Sequence, residues 1–222
     1  RAGRRRRPPR SRVLVARTPP PYAIRTERLL LRCWEPADAP ALKDAVDSSL
    51  EHLREWMPWA HADPQPLEEK VALLRRFRGG FDLDQDYVYG VLDGGDGSVV
   101  GGTGLHTRIG EDAFEIGYWI RESRIGEGLA TETSAALTRV AFELCGVDRV
   151  EIRVEPANER STAIPRKLGY VEEATLRRRL DAGEGHERRD AIVFSLFRDG
   201  YEASPCAAAP VEAFDAAGAR VL

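Results

Sequence analysis

Hydrophobic and polar positions along the chain switch between a period of two and a period near four. Leu29-Leu30-Leu31, with Cys33 and Trp34, is a short apolar run that predicts a first strand, so the fold is expected to begin near Thr26. Pro36 stands where a helix can start, and helical spacing predicts one helix over Ala37 to Leu53. His61 to Pro66 reads as loop. Leu67 to Phe77 predicts a second helix, charged on one face and stopped by Gly79-Gly80. Tyr87 to Leu92 and Ser98 to Leu105 are strand patterns around a turn of composition Asp-Gly-Gly-Asp-Gly, and Ala113 to Ile120 extends them into a meander. Leu129 to Leu144 carries Ala, Leu and Val on one helical face, with Gly146 as its stop. Val150 to Val154 alternates Val or Ile with charge. Ser161 to Leu168 predicts a short helix, and Tyr170-Val171 and Ala191 to Phe197 two further strands.

Short connections imply antiparallel neighbours for the early strands. A strand, a glycine turn, a long helix and another strand imply a right-handed βαβ crossover in the second half. The expected fold class is therefore α/β: a mixed, mostly antiparallel sheet with a central parallel strand pair and flanking helices. The expected organisation is an Arg/Pro-rich extension over 1–25, one domain over 26–201 and an Ala-rich tail over 202–222.

With 222 residues, 42% hydrophobic and 31% charged, the chain can bury a core without staples. Three scattered cysteines (Cys33, Cys145, Cys206) form no metal-ligand or disulfide pattern, so free thiols, no metal and a reducing compartment, the cytoplasm, are expected. No apolar run approaches the roughly 20 residues of a membrane span. Arg1 to Arg17 holds eight arginines and no acid; removing those eight charges from the formal −3 leaves −11 for the rest. The basic arm is either a nucleic-acid contact or an uncommitted extension, and without apolar partners the second is preferred. The acidic remainder suits an amine-bearing acceptor. Richness in Ala, Arg and Gly points to a GC-rich bacterial genome.

The chemistry concentrates in Glu115 to Glu132, where a strand leads through a short loop to Gly126-Glu127-Gly128 at the mouth of a helix. Glycines let a backbone approach a phosphate closely, and the free amides of a helix N-terminus point at it. A tight turn that merely uses glycine would look the same. The stretch resembles the pyrophosphate-binding motif of the GCN5-related N-acetyltransferase (GNAT) superfamily, and two more segments match in order. Asn158-Glu-Arg-Ser161 resembles the superfamily's Asn-x-x-Ser, and Arg166-Lys-Leu-Gly-Tyr170-Val-Glu-Glu its segment between short helix and next strand. Thr26 to Arg32 and Leu53 to Ala60 are similar to the opening strand and acceptor segment of the RimJ/RimL-type branch, which acetylates ribosomal-protein N-termini. The pattern differs at Ser123, where the superfamily has Gln or Arg three residues before the first glycine; Arg124 stands beside it.

The resemblance implies acetyl transfer from acetyl-CoA, as cosubstrate, to a primary amine by direct attack, most simply a protein N-terminal α-amine. A small-molecule N-acetyltransferase and a non-catalytic acyl-CoA-binding module are the alternatives; a homodimer is left open. Backbone amides across Gly126, Glu127, Gly128, Leu129 and Ala130 are expected to hold pyrophosphate, with charge from Arg121 and Arg124. The strand edge at Tyr118, Trp119 and Ile120 is expected to pair with pantetheine, and Asn158 to bond it. Ser161 is either the donor to the departing thiolate or a helix-start hydroxyl. Glu115 shares a strand face with Gly117 and Trp119 and is either the base or a strand residue that is solvated or ion-paired; Asp190, Glu173, His106 and His186 are its alternatives. Trp56 and Trp59 either shape the acceptor pocket or pack the core.

Overall fold

The computed structural model describes residues 18–183, 185 and 187–222, so the arginine-rich arm and His186 lie outside the described residues. One nine-stranded sheet runs through the molecule. In chain order its strands are β1 (Ala23–Arg25), β2 (Leu29–Cys33), β3 (Tyr87–Asp93), β4 (Val99–His106), β5 (Ala113–Ile120), β6 (Arg149–Val154), β7 (Val171–Leu180), β8 (Arg189–Phe197) and β9 (Glu212–Phe214). Across the sheet they lie β7-β8-β6-β5-β4-β3-β2-β1-β9. β5 and β6 pair in parallel and every other registered pair is antiparallel, as short connections and one helical crossover dictate.

Five α-helices of seven or more residues cover the faces: α1 (Ala39–Asp47), α2 (Leu50–Trp56), α3 (Leu67–Asp82), α4 (Leu129–Glu143) and α5 (Glu159–Lys167); a single turn, α6 (Arg198–Tyr201), follows β8. Strand side chains alternate between faces, so the sheet builds two cores. Tyr87, Tyr89 and Val91 of β3 and Phe114, Ile116 and Ile120 of β5 pack with Leu137, Val140 and Ala141 of α4. On the other face Val88 and Trp119 join Trp34, Leu42 and Val46, Leu53 and Leu74. Gly90 leaves room for Trp34, whose ring lies 3.0 Å from where a Cβ would stand.

Four elements depart from the sequence expectation. The single helix over 37–53 is two helices, because Ser48 and Ser49 bond back to the carbonyls of Asp44 and Ala45 and Ser49 leaves helical dihedrals. α3 runs through Gly79-Gly80 to Asp82. Buried Phe81 holds it there, within 5.2 Å of the rings of Tyr22, Tyr87 and Tyr89, and packing outweighs a glycine cost of about 1 kcal/mol. β7 extends to ten residues as an exposed edge strand dense in charge, which deters edge pairing but hides the strand from pattern reading. Residues flanking 26–201 are also built in: β1 precedes Thr26, β9 pairs with β1, and Cys206 is fully buried in the α4 core. The three cysteines are buried and joined in no disulfide. Among the described residues no helix is long and apolar enough to cross a membrane.

Candidate active site

The parallel pair is short. Its register covers only Ala113 with Arg149, Phe114 with Val150, and Glu115 with Glu151. Beyond it β5 continues against β4 to Ile120, while β6 continues against β8 to Val154. The strands part, and the edge of β5 from Ile116 to Ile120, which includes Tyr118 and Trp119, has no ladder partner on its β6 side among the described residues. Such an edge offers N–H and C=O groups to an extended ligand.

The chain leaves β5 through a 3-10 turn, Glu122–Arg124, and two glycines of positive φ, Gly126 at 87° and Gly128 at 81°. Gly128 is the N-cap of α4 and offers no side chain, so the amides that open the helix at Leu129 and Ala130 stay free for an anion. A Cβ on Gly126 would meet nothing within 4 Å, so its backbone conformation, not space, calls for glycine.

The nearby arginines are engaged. Arg124 donates to Glu127 at 2.8 Å and to Asp93 at 3.1 Å, and Arg121 pairs with Asp44 at 2.8 Å. The Arg124 bond holds the Glu127 carboxyl below the usual range; the Gly95 amide first and Arg124 second do the same for Asp93. Sequence reasoning missed Arg28, which donates to the Glu127 carbonyl at 2.9 Å and binds the Glu132 carboxylate at 2.6 Å, fastening the turn and α4 to the β1–β2 corner. No local signal announces a pair 104 residues apart.

On the far side of the split, Asn158 caps α5, accepting from the Ser161 amide at 3.0 Å. The Ser161 hydroxyl lies 2.9 Å from that of Tyr118 on β5. Burial pushes the Tyr118 phenol up to about 12, with the Ser161 bond opposing, so it remains protonated at neutral pH. The structure thus brings Tyr118, Asn158 and Ser161 together.

The opposite face of β5 presents Glu115, Gly117 and Trp119, in register with His106, Gly104 and Gly102 of β4. The middle row, Gly104 and Gly117, has no side chains and forms a floor that the His106 imidazole overhangs. Trp119 bounds it at one end and meets the exposed Trp59 edge-on at 5.9 Å. Trp56 closes α2, part-buried. Gly183, between β7 and β8, packs on His61 of the turn Pro58–Ala62, and Arg189 donates to the Glu55 carbonyl at 2.6 Å, tying the α2 end and the turn after it to the far side of the sheet.

Glu115 is 6% exposed, but its surroundings are not apolar. Phe114 and Ile116 point to the other face, and the carboxylate instead meets Arg108 and, at 3.6 Å, Arg153. That is an ion-paired arrangement, one of the readings its sequence left open, and not the solvated one. Asp190 accepts from the Arg178 amide and Glu173 from the Ser195 hydroxyl, both within the β7–β8 hairpin. His106 sits at the floor's end with Nδ1 3.0 Å from both oxygens of Asp86.

The model of the acetyltransferase (GNAT) domain family matches residues 28–171. Bacillus subtilis YdaF, named as a candidate ribosomal N-acetyltransferase, is 29% identical over 178 residues, covering 79% of this chain and 94% of its own. The [ribosomal protein uS5]-alanine N-acetyltransferase of Escherichia coli is 26% identical over 165 residues, covering 69% of this chain and 80% of its own. Mycobacterium smegmatis RimJ, solved with a CoA disulfide, shares the fold with a TM-score of 0.70 at 22% identity, over 83% of this chain and 90% of its own.

Proposed function

The chain belongs to the GNAT acetyltransferase domain family, and on that premise we propose that it transfers the acetyl group of acetyl-CoA to the α-amine of a protein N-terminus, with ribosomal proteins as the acceptor class. The observation that carries this reading is the split of β5 from β6 after Glu115, opening directly onto the Gly126–Gly128 turn. Pantetheine lies along the freed edge at Tyr118 to Ile120 in this reading, and pyrophosphate meets the amides from Gly126 to Ala130. Asn158 orders α5 beside the pantetheine arm. Relatives named for ribosomal-protein acetylation support the acceptor class.

An α-amine of pKa about 7.7–8.0 needs only a modest base to become a nucleophile. Its lone pair attacks the thioester carbon, backbone donors on the β5 edge stabilise the oxyanion, and the leaving thiolate takes a proton from Ser161. Tyr118, protonated and bonded to Ser161, supplies that proton in turn. Trp59 and Trp119 form the apolar wall against which the acceptor's first side chains pack.

Isothermal titration with acetyl-CoA, followed by thiol release over peptides beginning with Ser or Ala and over small amines, tests the reading. Binding with release on the peptides is expected. Release only on a small amine moves the acceptor to that class, and failure to bind acetyl-CoA overturns the reading of the glycine turn.

A further inference from the structure

The geometry points to His106, held by Asp86, as the group that takes the proton from the acceptor amine, an assignment that rests on the acetyl-transfer reading of this site. A carboxylate only accepts hydrogen bonds, so Asp86, 3.0 Å from Nδ1, places the imidazole hydrogen there and leaves the Nε2 lone pair free. The side chain is 18% exposed.

The Nε2 edge of the ring lies over the glycine floor. A Cβ on Gly104 would stand 2.9 Å from Nε2, and one on Gly117 would stand 3.3 Å from it. Two cross-strand partners therefore both lack a side chain at the spot the imidazole overhangs. Gly117 belongs at once to this floor and to the β5 edge that has lost its β6 partner. An amine brought to Gly117 from the split is thus next to Nε2, with Trp119 and Trp59 closing the end opposite His106.

The charged groups facing this spot come from four places. Asp86 precedes β3, Glu115 projects from β5 in register with His106, Arg108 follows β4, and Arg153 comes from β6 together with Glu151, in register with Glu115 and bonded to Arg153. Arg108 binds one Glu115 oxygen, and the other, buried without a hydrogen bond, lies 3.6 Å from Arg153, whose own hydrogen bonds go to Glu151; two cations thus hold Glu115 as a carboxylate, while the Nε2 lone pair faces the glycine row. As the amine nitrogen forms its bond to the thioester carbon, its proton passes to Nε2. The C–S bond breaks with its electron pair on sulfur, and sulfur takes a proton from the Ser161–Tyr118 pair. Solvent then carries the imidazolium proton back to that pair, so the net transfer is one proton from amine to sulfur.

The test uses the full chain and a peptide acceptor that the wild type turns over, with acetyl-CoA titrations and thermal melts as controls. H106Q is expected to keep wild-type acetyl-CoA affinity and melting, to lose about 10²–10⁴-fold in kcat/KM, and to lose the acidic limb of the pH–rate profile. D86N is expected to move that limb and lower the rate by at least about tenfold, and added imidazole to restore part of the activity of H106G. H106Q turning over like wild type, or keeping the limb while E115Q loses it, overturns the assignment and leaves the acetyl-transfer reading intact. Wild type that binds acetyl-CoA and releases thiol on no acceptor overturns both.

Discussion

The hydroxyls of Tyr118 and Ser161 lie 2.9 Å apart, joining the strand that enters the glycine turn to the helix that follows the parallel strand. They span the split between β5 and β6, where the reacting thioester belongs in the proposed reaction. Ser161→Ala is expected to lower kcat by about 10²-fold, the scale of a lost proton donor, with acetyl-CoA affinity unchanged. Tyr118→Phe keeps the ring and removes the relay, and its loss is expected to be the smaller of the two. Stopped-flow thiol release on both variants decides this; wild-type rates in both would remove the pair from the chemistry.

Trp59 is 42% exposed and meets Trp119 edge-on, so the pair presents an aromatic wall to solvent beside the proposed acceptor site. Trp59→Ala is expected to raise the acceptor KM severalfold and leave acetyl-CoA binding alone. An unchanged acceptor KM would return Trp59 to a packing role.

Gly128 caps α4 at φ 81°, a conformation costing a residue with a Cβ roughly 1–2 kcal/mol. Gly128→Val is therefore expected to tilt the opening amides of α4 and weaken acetyl-CoA binding at least about tenfold by titration calorimetry, with secondary structure preserved by circular dichroism. Equal affinity would mean that the amides of the turn do not hold the pyrophosphate.

Lys70 and Asp63 form an ion pair of 2.5 Å with both side chains only 2% exposed. Removing one partner leaves a buried charge alone, so Lys70→Met is expected to cost about 3–5 kcal/mol in urea unfolding. The double variant with Asp63→Asn should lose less than the single one. A double variant less stable than Lys70→Met would refute this account of the pair.

Tyr87, Tyr89, Tyr118, Tyr170 and Tyr201 all have phenols raised by burial, Tyr118 from 10.0 to about 12. A folded-state pKa above the unfolded one gives stability that is complete below pH 10 and lost as pH rises through the folded value. The urea midpoint should therefore hold level to about pH 10 and fall beyond it, with tyrosinate absorbance appearing together with unfolding. Tyrosinate forming near pH 10 in folded protein would contradict the burial.

The neighbourhood of residues determined much of this molecule directly. Positive φ at Gly126 and Gly128, the apolar face of α4 and the alternation in β3 to β6 are local demands, and the sheet class and the glycine turn follow from them. The capping of α5 by Asn158 lies within a few residues and is likewise written in the order of the chain. Contacts between distant segments decided the rest. Phe81 carries α3 past its glycines because three tyrosines from elsewhere surround it. Arg108 and Arg153 surround Glu115, a residue whose sequence neighbours are apolar, because strand alternation turns those neighbours to the other face. Asp86 finds His106 across 20 residues, and Tyr118 finds Ser161 across 43. A side chain's partners are set by which strands the sheet places side by side, and that ordering is a property of the whole buried surface rather than of any segment.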